Sequence, residues 1–184
     1  MLNDNLRDQK LIYDLDKIEE KENFIFELNW KKIDTPEGIV DITSPINVNF
    51  NIEKNSEGFL LKGSAMTKVK LQCSRCLKEF EQQIKGEIEA FYISKSMESL
   101  YIKSERLETL DNIIFFSEEK IDITDRIIES ILMEIPEKPL CKVDCKGLCS
   151  VCGVDLNENP DHKHDEEYID PRFEKLLDLF KEEK

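Results

Sequence analysis

The sequence predicts an α+β fold: a mostly antiparallel, barrel-like β-sheet with one packed helix and a cross-linked C-terminal extension that ends in a second helix. Three observations carry this. Apolar residues alternate over several runs between Phe24 and Tyr92, an apolar stripe at helical spacing follows at 127–135, and the composition changes abruptly after Pro136. The alternation has the two-residue period of a half-buried strand, and the stripe has the period of an amphipathic helix.

The elements follow in chain order. Leu6, Leu11, Ile12, Leu15 and Ile18 sit near helical spacing in a polar lead-in that fits a short helix or an extended segment equally well. Phe24, Phe26, Leu28 and Trp30 then alternate, and Ile46, Val48, Phe50 and Ile52 repeat the pattern with Asn47, Asn49 and Asn51 on the other parity. A turn at Asn55–Gly58 leads into Phe59–Met66. Thr67, Val69, Leu71 and Cys73 share one parity; after Cys76, Phe80, Ile84 and Ile88 share a face in a run reaching about Tyr92. These last two runs read as a hairpin with Cys73-Ser-Arg-Cys76 at its tip. Residues 94–120 read as a long acidic loop with a short strand at Asn112–Phe116. A helix over about 123–135 starts at Asp122 or Thr124 as N-cap and buries Ile127, Ile128, Ile131, Leu132 and Ile135. Pro136 and Pro139 stop it. The natural division is a β-rich domain over 1–136 and an extension over 137–184. In the extension Asp170-Pro171 opens a helix with Phe173, Leu176, Leu177 and Phe180 on one side.

The extension has too few apolar residues for a core of its own and needs a staple. The cysteines supply the candidate. All six cysteines and both histidines of the chain fall into clusters: Cys73 and Cys76, Cys141 and Cys145, Cys149 and Cys152, His162 and His164. Eight such donors suffice for two four-coordinate zinc sites, and Cys-x-x-Cys turns aim two thiolates at one point. Gly147 and Gly153 flank the second pair and permit a tight backbone. Cys149 and Cys152 with His162 and His164 would form a site that is neutral with zinc(II). Cys73 and Cys76 are completed either by Cys141 and Cys145, giving two ions, or by Cys149 and Cys152 in a single zinc ribbon; spacing alone leaves both open.

Charge and composition narrow the function. The formal net charge is −14, with 36% charged residues. Such a surface repels phosphate backbones and suits basic protein partners. Residues 64–86 run the other way, with five basic and two acidic residues, so Lys68, Lys70, Arg75 and Lys78 are the candidates for RNA phosphate contact. The opening Met1-Leu2-Asn3-Asp4-Asn5 has no secretory character, and apolar runs reach only about four residues. The expectation is a cytoplasmic protein, away from membranes, in a reducing compartment where clustered cysteines bind metal rather than pair. No His-Glu-x-x-His, nucleophile triad or phosphate-binding glycine loop occurs, and neither cysteine pair has a thioredoxin-like context. A non-enzymatic protein without a small-molecule substrate is expected.

Two stretches taken together resemble a known family. Val69-Lys-Leu-Gln-Cys73-Ser-Arg-Cys76-Leu, then Cys141-Lys-Val-Asp-Cys145-Lys-Gly-Leu-Cys149-Ser-Val-Cys152-Gly-Val-Asp-Leu-Asn157, then Asp170-Pro-Arg172, are similar to the YceD family of bacterial and chloroplast proteins. The likeness covers most of the chain, is strong at the cysteine motifs and weak in residues 1–60. It implies a non-enzymatic factor needed for 23S ribosomal RNA to accumulate, with a ribosomal protein or a large-subunit RNA precursor as partner. The chain departs from the family at His162-Lys-His164, where Cys-x-Cys is usual, and at Ser150, where proline is usual. Two imidazoles in place of two thiolates keep a tetrahedral site feasible. Members without this tail keep the first pair and a pair near 141 and 145, which favours two separate sites.

Overall fold

The computed structural model describes residues 10–35, 38–103, 112–118 and 120–164. Its main sheet has seven strands, labelled in chain order. The short strand β1 (Ile12–Asp14) stands apart; the sheet contains β2 (Lys21–Leu28), β3 (Lys32–Thr35), β4 (Gly38–Ile42), β5 (Ile46–Lys54), β6 (Phe59–Gln72), β7 (Glu79–Ser94) and β8 (Ile113–Phe116). A small ribbon pairs β1 with β9 (Lys120–Asp122). Two helices are present among the described residues, α1 (Glu98–Lys103) and α2 (Thr124–Met133). All pairings are antiparallel except β7 with β8.

The β6–β7 hairpin is the spine. It pairs without interruption from Phe59↔Tyr92 to Gln72↔Glu79. The other edge of β6 is shared: β5 takes its first half and β4 its second. Between them residues 43–45 bulge, and the kink is held on β6 by Thr43 N–H to Lys68 C=O (2.9 Å), Lys68 N–H to Ser44 Oγ (2.9 Å) and Thr67 Oγ1 to Ser44 C=O (2.9 Å). Asn55 closes the β5–β6 turn by accepting from Glu57 and Gly58 N–H through its own side chain.

Alternation decides which face is dry. Ile46, Val48, Phe50 and Ile52 of β5, Leu61, Ala65 and Val69 of β6, and Ile84, Ile88 and Ala90 of β7 are buried together. Tyr13, Phe24 and Phe26 ring Phe50 with centroids 4.9–5.9 Å away. Helix α2 closes this face by burying Ile127 and Ile131 against β6 and β7. The approach is close at Gly86, where an added Cβ would lie 2.0 Å from the Ser130 carbonyl oxygen. The N-cap position falls on Ile123, which has no side-chain acceptor, so neither Asp122 nor Thr124 is the N-cap as expected; Asp122 Oδ1 accepts from Thr124 N–H (2.9 Å) just ahead of the helix, and Thr124 Oγ1 accepts from Leu11 N–H (2.9 Å). It ends at Met133 because Pro136 keeps Ile135 out of helical geometry.

Several expectations need correction or completion. The lead-in is extended at β1 and forms a 3-10 turn at Leu15–Lys17 rather than an α-helix. Strand β2 ends at Leu28, so Trp30 is buried beyond the strand rather than within it. The β3–β4 hairpin, β9 and α1 were not expected. The C-terminal helix expected from Asp170 lies outside the described residues. No helix among the described residues is long and apolar enough to cross a membrane.

Candidate metal centres

The β6–β7 hairpin turns on a knuckle. Leu77 N–H donates to Cys73 C=O (2.9 Å) and Cys73 N–H to Lys78 C=O (2.9 Å). Leu77, the residue after the second cysteine, takes a φ of 60°, a left-handed value that costs a leucine about 1–2 kcal/mol. The same construction recurs later. Leu148 and Asp155 form an antiparallel bridge, Gly153 N–H donates to Cys149 C=O (2.9 Å), and Cys149 N–H to Val154 C=O (2.8 Å). Here the left-handed position is Gly153, φ 75°, where no side chain resists.

These knuckles assemble two separate donor sets. Cys73, Cys76, Cys141 and Cys145 form one, and Cys149, Cys152, His162 and His164 the other, with donor atoms in each within 4.8 Å of one another. In the first set Cys73 Sγ lies 3.7 Å from Cys145 Sγ, and Cys76 Sγ 3.6 Å from Cys141 Sγ. A tetrahedron with zinc–sulfur bonds of about 2.3 Å has edges of about 3.8 Å, so the spacing fits a metal and is far too long for a disulfide bond of about 2.05 Å. In the second set Cys149 Sγ is 3.2 Å from His164 Nε2, Cys152 Sγ 3.1 Å from His162 Nε2, and the two Nε2 atoms are 3.1 Å apart. The grouping follows the two-site arrangement and not the single ribbon.

Environment separates the sets. Cys73, Cys76 and Cys145 are buried and pack with Phe80, Leu140 and Leu148. Cys152 and His164 are exposed. Four thiols brought together resist joint ionisation without a cation. Burial pushes Cys73 up, but hydrogen bonds from the Cys141, Cys76 and Arg75 backbone outweigh it and hold this thiol at about 6. Burial, reinforced by the neighbouring sulfurs, pushes Cys141 up to about 12. A bound dication removes that conflict, because the thiolate is the ligand form. At the second set the Cys152 and Val151 backbone, with His164, hold Cys149 at about 6.

Three of the four expected RNA contacts have partners within the chain. Arg75 Nη1 donates to the Cys145 carbonyl oxygen (2.8 Å). Lys78 pairs with Asp155 (2.9 Å) and also with Glu158, and these carboxylates push its pKa up. Lys70 pairs with Glu79 at 2.6 Å. Lys68 is exposed on the outer face of β6. Two residues that sequence reasoning passed over stand beside the ligands. Asn157 Nδ2 lies 3.4 Å from Cys145 Sγ, and Asp155 is held down to about 2 by Lys78 and by the Asn157 N–H groups. Only the Asp155-Leu-Asn157 spacing next to Cys152-Gly hinted at them.

Residues 61–180 match the family described as "Large ribosomal RNA subunit accumulation protein YceD". The chain is 31% identical over 142 residues to uncharacterized proteins of Mycobacterium bovis and Mycobacterium tuberculosis, covering 76% of this chain and 64% of theirs. It is 28% identical over 141 residues to an uncharacterized Mycobacterium leprae protein, covering 77% of this chain and 62% of that one. The chain thus spans less than two thirds of the length of the curated relatives it matches. No solved structure matches. With its matched region running from near the start of β6 through both knuckles, the chain belongs to the YceD family of large ribosomal RNA subunit accumulation proteins.

Proposed function

We propose that this protein is a non-enzymatic ribosome biogenesis factor that promotes accumulation of 23S ribosomal RNA and of the large subunit. It acts through a docking surface rigidified by two zinc ions. The family supports the ribosomal role. The single observation that carries the zinc surface is the sorting of all six cysteines and both histidines into two four-donor sets. Four protein ligands per ion leave no open position for water or substrate, which is the pattern of structural rather than catalytic zinc. Cys73, Cys76, Cys141 and Cys145 would hold one ion, and Cys149, Cys152, His162 and His164 the other. The ions would fix the two knuckles and the segment between them as one surface.

A second reading is an adaptor for a basic ribosomal protein without RNA contact. The internal engagement of Lys70, Arg75 and Lys78, in a chain of net charge −14, favours it. Both readings meet the same experiment. In a strain lacking this gene, the ratio of 23S to 16S ribosomal RNA is expected to fall, the intact chain to restore it, and a Cys73→Ser chain to fail. Pull-downs at low and high salt, with and without nuclease, then separate the partners. Retention that survives nuclease and falls with salt assigns a basic protein; loss with nuclease assigns RNA. Restoration by the Cys73→Ser chain would overturn the zinc surface, and an unchanged ratio in the deletion strain would overturn the ribosomal role.

A further inference from the structure

A relay of side chains outside both donor sets joins the two centres. The stem of the second knuckle lies against the first. Leu148 N–H donates to Arg75 C=O (3.2 Å), and Gly147 approaches so closely that an added Cβ would lie 3.0 Å from the same oxygen. Asn157 sits on the returning arm of this stem. Its Nδ2 reaches Cys145 Sγ (3.4 Å), and its Oδ1 accepts from Lys146 N–H (2.9 Å). Asp155 Oδ1 accepts from the Asn157 backbone and side-chain nitrogens, both at 2.8 Å, while Oδ2 takes Lys78 Nζ at 2.9 Å. Lys78 belongs to the first knuckle. Asn157, which touches the four-cysteine set, and Asp155, which holds it, therefore lie in the segment between Cys152 and His162 of the other set.

We infer that the two centres bind metal with positive coupling, and that Asn157 and Asp155 are the positioning residues that transmit it. This rests on the reading of both sets as zinc centres. An ion at Cys149, Cys152, His162 and His164 closes residues 153–161 into a loop and fixes Asn157 over Cys145. The amide then meets the thiolate without a further ordering cost, and the anionic four-thiolate centre gains a donor. By linkage, an ion at the four-cysteine centre fixes Cys145, Arg75 and Lys78, and so holds the stem from which Cys149 and Cys152 project.

The test is zinc competition against a chromophoric chelator on the full chain, with cobalt(II) spectra to separate four-sulfur from two-sulfur coordination. The His162→Ala/His164→Ala variant empties the second centre. The four-cysteine centre is then expected to bind zinc more weakly by on the order of tenfold. Asn157→Ala is expected to keep both ions, weaken the four-cysteine centre in the same direction, and displace its sulfur-to-cobalt charge-transfer band, which a packing defect elsewhere would not move. Combining Asn157→Ala with the histidine variant is expected to cost less than the two losses summed. Should Asn157→Ala fail to fold, Asp155→Asn keeps the side-chain size and is expected to weaken the same centre. A four-cysteine affinity that stays within about twofold of wild type in the histidine variant would overturn the coupling and leave the zinc reading intact. A wild-type chain that binds no zinc would overturn both.

Discussion

Around Cys73 and Cys76 the donor set is a small core: three of its four cysteines are buried, and Phe80, Leu140 and Leu148 wall them in. Around Cys149 and Cys152 the same knuckle stands in water, with Cys152 and His164 exposed and a glycine where the first has Leu77. The hydrogen bonds that define the two turns agree within 0.1 Å. The turn therefore does not decide the setting of its donor set; the residues packed around it do. The first centre ties elements far apart in the chain into the body of the fold. The second closes a short loop of its own.

That contrast can be broken experimentally, and the largest effect is expected from its ligands. Structural zinc sites hold their ions with apparent free energies of about 10–16 kcal/mol at neutral pH. Cys73→Ser is expected to lose the first ion and release the segment docked by Ser74 N–H to Pro139 C=O and by Leu148 N–H to Arg75 C=O. Cys149→Ser is expected to lose the second ion and keep both amides protected. Elemental analysis with hydrogen exchange at Ser74 and Leu148 reads the difference, and equal loss of protection in both variants would erase it.

Next comes a change far from either centre. Gly86→Ala places a methyl group 2.0 Å from the Ser130 carbonyl oxygen and must push α2 off β7. Overpacking of this kind costs about 1–3 kcal/mol. Urea unfolding of the sheet should show the loss while the zinc content is unchanged, separating the sheet core from the metal core. The smallest effect is expected within the knuckles. Leu77→Gly makes the first turn like the second by removing a left-handed strain, and should stabilise the hairpin tip by about 1 kcal/mol. A loss of stability in thermal unfolding would mean that the half-exposed leucine side chain holds the tip in place.

The long, regular elements were legible in the sequence, and the reason is physical. Ile46–Ile52 and Thr67–Cys73 alternate because one face is dry, and α2 shows its stripe for the same reason. The pairing of β1 with β9 was not legible: each has three residues, and Ile12 meets Asp122 across most of the chain. Helix α1 escaped because its six residues, Glu98–Lys103, carry too little pattern; its buried Tyr101 packs on Phe115 of β8. The eight candidate ligands could be picked out, since their chemistry is in the residue types. How they group was settled only when the β6–β7 register and the docked 139–148 segment were in place. The internal partners of Arg75 and Lys78 were hidden for the same reason, because they lie 70 or more positions away.

The four-cysteine set also has a wide span along the chain. Cys73 and Cys76 come together within one hairpin, but Cys145 reaches Cys73 across 72 positions, with α2 lying between. Helix α2, packed on β7, therefore lies inside the loop that these four side chains close. An ion held there would clasp the hairpin tip to the chain beyond Pro136 and enclose the helix between them. A chain short of such an ion would keep the sheet and α2 but lose that clasp, leaving the segment beyond Pro136 free to leave the hairpin tip.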